Sequence, residues 1–207
     1  MDALIEKVRP YTKSSRARIL SLIRSLNFLE KKGIEGDVVE CGVWRGGNMI
    51  LARVLAPGRT CWLYDTFRGM TKPTEVDVRR KDGFRALDIW GKPHWAECSV
   101  DHVKQNFLDW GLGLDNLKFV QGPVEETLLD VSNLPDRIAL LRLDTDWYES
   151  TKVEMEVLYP KLVWSGVLIV DDYGHWEGAR QAVDDYLGKK RMYLEPIDYT
   201  AVQMVKL

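Results

Sequence analysis

Two short apolar runs, each ending in aspartate, limit the folds open to this chain. Ile138-Ala-Leu-Leu-Arg-Leu143 leads into Asp144, and Gly166-Val-Leu-Ile-Val170 leads into Asp171-Asp172. Runs this continuous in apolar, branched residues suit strands buried on both faces, the condition of a parallel sheet covered by helices. Further strand-like runs at residues 38–41, 60–65 and 117–121 alternate with helical patterns at 48–56, 100–110, 124–129, 150–162 and 178–187. A helix over residues 14–32 opens the series. Ser14 or Ser15 can cap it, Leu20, Ile23, Leu26 and Leu29 recur at helical spacing, and Gly33 and Gly36 end it. Alternation of this kind implies right-handed crossovers and a doubly wound, mostly parallel α/β sheet. Runs near 192–195 and 201–205 complete seven strands as an antiparallel C-terminal edge hairpin. No linker or repeat intervenes, so residues 1–207 read as a single domain.

Composition narrows the function classes. A net charge of −2 and a pI of about 6.0 give no footprint for nucleic acid. The basic clusters at 79–81 and 189–191 are short and read as solvated charge. Cys41, Cys61 and Cys98 lack metal-ligand spacing and read as reduced, buried thiols of a cytoplasmic protein. No apolar stretch is long enough for a signal peptide or a membrane span, so no membrane partner is expected.

In an open α/β sheet, ligands bind beyond the carboxyl ends of the strands, which is where Asp144, Asp171 and Asp172 emerge. Three carboxylates together suit a hard divalent cation, Mg²⁺ or Mn²⁺. The bland alternative is that they cap helices or solvate loops. Upstream, Glu40-Cys-Gly-Val-Trp-Arg-Gly-Gly47 joins a strand to a helix, and its glycines allow a ligand close to the backbone. A tight structural turn is the alternative there. Glu40 would repel a pyrophosphate and favour a cationic or hydroxyl-bearing ligand. Asp65, at the end of the next strand, stands where an acid commonly accepts ribose hydroxyls. A nucleoside cofactor without phosphates fits both acids, and S-adenosylmethionine is one.

Several motifs carry a resemblance. Glu40-Cys-Gly-Val-Trp-Arg-Gly-Gly47, Asp65-Thr-Phe67 with Gly69, Leu143-Asp-Thr-Asp-Trp-Tyr-Glu-Ser-Thr151, Leu158-Tyr-Pro160 and Val170-Asp-Asp-Tyr-Gly174 resemble the macrocin O-methyltransferase family. The resemblance spans residues 11–186 and is shared more distantly by metal-dependent catechol-type methyltransferases. It implies a Rossmann-like class I methyltransferase fold and S-adenosylmethionine-dependent, Mg²⁺-dependent methylation of sugar hydroxyls. By position it implies metal ligation by Asp144, Asp171 and Asp172, with Asp144 also the general base. The implied cofactor contacts are Tyr11, Thr12, Glu40, Gly42, Arg45, Gly46, Asp65, Ser99, Gly122, Glu125 and Glu126, with Asp144 beside them. Family members of antibiotic pathways carry a longer N-terminal segment than the residues before Tyr11 here. That segment contributes to acceptor pockets and subunit contacts, so acceptor identity and oligomeric state, a homo-oligomer included, stay open.

The stretch 66–97 is long for a crossover connection and reads as a lid or substrate insertion. Trp90, His94 and Trp95 in it, with His175 and Trp176 after the second acidic motif, are the expected acceptor contacts. Packing of the tryptophans in a subunit interface is the alternative. Asp146 and Glu149 read as loop and helix-start charge.

The reading that results is an O-methyltransferase acting on a sugar hydroxyl of a glycan, glycoside or nucleotide sugar, or on a catechol-like diol. A nicotinamide-dependent oxidoreductase would leave the three acids without work. A non-catalytic nucleoside-binding protein would not be expected to keep them all.

Overall fold

The computed structural model describes residues 1–91, 96–188 and 192–207. The predicted alternation is present. The strands are β1 (Asp37–Cys41), β2 (Cys61–Asp65), β3 (Leu117–Gln121), β4 (Ile138–Leu143), β5 (Leu162–Val170), β6 (Glu195–Pro196) and β7 (Val202–Val205). The helices are α1 (Asp2–Val8), α2 (Arg16–Lys32), α3 (Gly47–Leu55), α4 (Val100–Asp109), α5 (Val124–Thr127), α6 (Tyr148–Val157) and α7 (Glu177–Leu187). One seven-stranded sheet runs β3-β2-β1-β4-β5-β7-β6, parallel except for β7, which pairs antiparallel with β5 and β6.

Side chains alternate across the sheet with the period of two that a strand imposes. Val38, Leu63, Leu140 and Ile169 join the core beneath α1–α4, while Val39, Tyr64, Leu141 and Leu168 join the core beneath α5–α7. Ser15 caps α2 by accepting the Arg18 N–H, and Gly33 ends it in the left-handed region. Strand order reverses between β1 and β4, so the loops after those strands meet at the carboxyl edge. Gly42, at φ +85°, lies so close that a Cβ would overlap the Asp144 carbonyl oxygen.

Several boundaries differ from the sequence reading, most at the α6–β5 junction and at β6, which is Glu195–Pro196 rather than residues near 192–195. α6 ends at Val157, because Pro160 in the following 3-10 turn cannot continue a helix, and β5 already begins at Leu162. Ser165, at φ +64°, breaks the regularity of β5, and the register with β4 shifts beside it. α1, a seven-residue helix without a side-chain cap, gave no signal in the sequence. Among the described residues, no helix is long and apolar enough to cross a membrane.

Candidate active site

A cavity of about 280 Å³ opens at the carboxyl edge of the sheet. Its wall takes Thr12–Ser14 from the segment before α2, Arg18 from its first turn, Gly42–Trp44 from the turn after β1, and Asp65 from the end of β2. Gly122, Val124 and Glu125 follow β3, and Asp144–Asp146, Asp171 and Asp172 follow β4 and β5. Carboxylate oxygens of Asp144, Asp171 and Asp172 lie within 4.8 Å of one another.

Arg142 organises this end of the cavity. It is buried on β4, directly across from Glu40 on β1, and its Nη1 donates to Glu40 Oε1 and to Asp144 Oδ2 at 2.8 and 2.7 Å. Its Nη2 donates to Asp171 Oδ1 and, at 3.1 Å, to Ser14 Oγ. Arg18 donates to the other Asp171 oxygen and pairs with Asp198 at 3.1 Å. Two guanidiniums therefore face a larger set of carboxylates. Burial pushes Asp144 well above the usual carboxylate range, with Asp171 and Asp172 adding to the push and Arg142 opposing it. Asp172 is likewise pushed well up by burial and by Asp146 and Asp171. A crowd of hard oxygen donors short of positive charge is a fitting cradle for Mg²⁺ or Mn²⁺.

Asp146 corrects the sequence reading. It stands in the loop before α6 but also lines the cavity, in the left-handed region at φ +71°, beside Asp172. Burial pushes its carboxyl up to about 7.

Asp65 holds the glycine turn in place. Its Oδ2 accepts the N–H groups of Val43 and Trp44 at 2.8 and 2.9 Å, and its Oδ1 accepts Phe67 N–H at 2.7 Å. Burial nevertheless raises its pKa, opposed by those three N–H groups. Glu125 lines the far wall, where one buried carboxylate oxygen has no hydrogen-bond partner among the described residues, so a ligand amine could donate to it.

Other expected contacts are turned elsewhere. Glu40 is fully buried behind the wall, satisfied on one oxygen by Arg142 and by Asn48 Nδ2 at 2.8 Å, so its cation is internal. Burial pushes it up to about 7. Gly46 is the N-cap of α3 and packs towards Val103 and Phe107. Tyr11 packs edge-on to Trp110, and Arg45 stacks on Trp44 and donates to the Pro10 carbonyl. Ser99 caps α4 through His102 N–H, and Glu126, unlike Glu125, is absent from the cavity wall. Trp176 is core, packed edge-on to Trp147 at 5.2 Å, and His175 contacts Tyr199 Oη at 3.1 Å. Trp90 is part-exposed beneath Lys72 and does not line the cavity. His94 and Trp95 lie outside the described residues, as do Lys189, Lys190 and Arg191.

Sequence reading missed Arg142, Arg18 and Asn48. Arg142 did carry a signal: a lone charge in an apolar strand, two places before Asp144 and therefore on the same face.

This topology, with a cavity at the switch point between β1 and β4, defines a Rossmann-like class I methyltransferase fold. The chain belongs to the macrocin-O-methyltransferase (TylF) family, which it matches over residues 8–206. It is 35% identical over 162 residues to the 8-demethyl-8-(2,3-dimethoxy-alpha-L-rhamnosyl)-tetracenomycin-C 4'-O-methyltransferase of Streptomyces olivaceus, covering 76% of this chain and 60% of that protein. It is 32% identical over 181 residues to the mycinamicin III 3''-O-methyltransferase of Micromonospora griseorubida, covering 85% and 70%. The chain thus spans about 60% of the length of the tetracenomycin enzyme. Among solved structures, the O-methyltransferase NovP superposes with a TM-score of 0.82 at 30% identity, covering 95% of this chain and 82% of NovP.

Proposed function

We propose that this chain is an S-adenosylmethionine-dependent, divalent-metal-dependent O-methyltransferase acting on a sugar hydroxyl. The observation that carries the reading is the convergence of Asp144, Asp171 and Asp172 at one end of the cavity that also holds the glycine turn and Asp65. Family membership, and relatives named as methyltransferases of glycosylated antibiotics, support the substrate class.

Bound there, S-adenosylmethionine supplies an electrophilic methyl group, and a divalent cation held by the three acids lowers the pKa of a nearby hydroxyl. The chain's own residues do the rest. Asp144 is held through Oδ2 by Arg142, which leaves Oδ1 to accept the hydroxyl proton. Arg142 and a cation on the three acids would together hold Asp144 ionised, and so able to accept that proton. Asp65 presents the glycine turn in a fixed shape, so the cofactor meets a wall that needs little reorganisation.

Calorimetric titration of S-adenosylmethionine and S-adenosylhomocysteine, with Mg²⁺ and with EDTA, tests the cofactor. Sugar acceptors are then screened for a gain of about 14 daltons, one CH₂. Asp144→Asn is expected to lower methylation by about 10²-fold or more while S-adenosylhomocysteine still binds. Failure of the wild-type chain to bind either cofactor form would overturn the reading. Undiminished methylation by Asp144→Asn would remove the base assignment and the place of Asp144 among the metal ligands, while leaving the cofactor reading intact.

A further inference from the structure

Asp77 lies in the irregular segment between β2 and α4, yet its side chain is fully buried. It makes no ion pair with any described residue. Its Oδ1 accepts the Tyr148 N–H at 2.8 Å, and its Oδ2 accepts Thr74 N–H and Thr74 Oγ1 at 2.6 and 2.9 Å. Tyr148 is the first residue of α6, and Gly178 is the second of α7. A Cβ on Gly178 would overlap Asp77 Oδ1 and come within 3.0 Å of Tyr148 N. The carboxylate is therefore wedged between the starts of two helices of 10 and 11 residues that pack side by side. Each helix start carries the equivalent of about half a positive charge, which favours a carboxyl group here with no arginine or lysine paired to it among the described residues.

These two helices leave the acidic loops. α6 starts just past Asp144–Asp146, and α7 just past Asp171–Asp172. The backbone around Asp77 is sewn to the same place. Glu177 N–H donates to the Val78 carbonyl at 2.9 Å, Arg80 N–H to the His175 carbonyl at 2.8 Å, and Trp147 Nε1 to the Thr71 carbonyl at 3.0 Å. Ala86, Trp147, Trp176 and Ala179 close a small apolar core around it.

We propose that Asp77 is a positioning residue that sets the spacing between the loop bearing Asp144 and the loop bearing Asp171–Asp172, and so sets divalent-cation affinity. The residues around it brace the acidic centre. This rests on the reading of the three acids as a cation site.

Mn²⁺ titrated calorimetrically into the full chain, with S-adenosylhomocysteine titrated in EDTA alongside, tests it. Asp77→Ala is expected to weaken Mn²⁺ binding about 10–100-fold, with S-adenosylhomocysteine affinity held within about twofold. Asp77→Asn, which still offers Tyr148 an acceptor, falls between. Gly178→Ala, which displaces the carboxylate while Asp77 itself is intact, reproduces the loss. If Asp77→Ala fails to fold, the other two variants carry the test. Wild-type Mn²⁺ affinity in the folded variants, or parallel loss of both ligands, overturns the role of Asp77. Wild-type protein that binds no Mn²⁺ removes the cation site itself and the inference with it.

Discussion

Arg142 and Asp144 stand two places apart at the end of β4, so their side chains leave on the same face, and Arg142 lies in register with Glu40. A buried guanidinium with three carboxylates is far more sensitive to loss of one partner than to replacement of the whole set. Arg142→Met is expected to cost roughly 3–5 kcal/mol, because Glu40 is left buried and uncompensated. Arg142→Lys should recover little, since one ammonium cannot reach Glu40, Asp144 and Asp171 through two separate nitrogens. Adding Glu40→Gln to Arg142→Met should return part of the loss. Urea denaturation of the single and double variants measures this, and strictly additive effects would show that the pair is not coupled. The three metal-type acids and the glycine turn were legible in sequence because they are local punctuation at strand ends. Arg142's bond to Glu40 joins positions 102 residues apart, and no local pattern encodes such a contact. Trp176 shows the opposite error: its place beside the acidic motif pointed to substrate, while its packing on Trp147 makes it core.

At the scale of elements, continuous apolar runs made β1, β2, β4 and the end of β5 readable, and Ser15 and Gly33 framed α2. The end of α6 was not readable in the same way. Val157, Leu158 and Leu162 extend a helical apolar pattern past the point where Pro160 stops the helix, so composition and backbone disagree there. α6 also carries a glutamate on its buried face. Glu154 is fully buried and accepts Thr145 Oγ1 at 3.0 Å on one oxygen, while the other has no hydrogen-bond partner among the described residues. Burial raises its pKa well above the usual value, so the folded state keeps a proton that the unfolded chain releases near pH 4.5. The unfolded state then binds fewer protons, and stability falls as pH rises above that point. Glu154→Gln keeps the acceptor and removes the titration. Its stability relative to wild type is expected to grow between pH 5 and 8, by at most about 1.4 kcal/mol per pH unit for one proton. Urea curves in EDTA at several pH values measure the difference; a constant offset would mean that Glu154 is ionised in the fold.

For the whole molecule, the telling fact is that the cavity wall runs from Thr12 to Asp172 and draws on the ends of β1 to β5. No short stretch of unfolded chain reproduces that wall, so a ligand seated in it binds the folded state alone. Linkage then fixes the size of the effect: at a free concentration one hundred times its Kd, such a ligand adds about 2.7 kcal/mol of stability. In a domain of this size each kcal/mol moves the midpoint by about 2–4 °C, so S-adenosylhomocysteine is expected to raise Tm by about 5–11 °C. The shift should grow with the logarithm of ligand concentration and appear equally in tryptophan fluorescence and far-ultraviolet circular dichroism. Equal shifts follow because Trp147 packs at the carboxyl edge while the helices report from both faces of the sheet. A shift seen by fluorescence alone would mean that the segment over the acidic loops melts apart from the sheet, contrary to the clamp that Asp77 makes between α6 and α7.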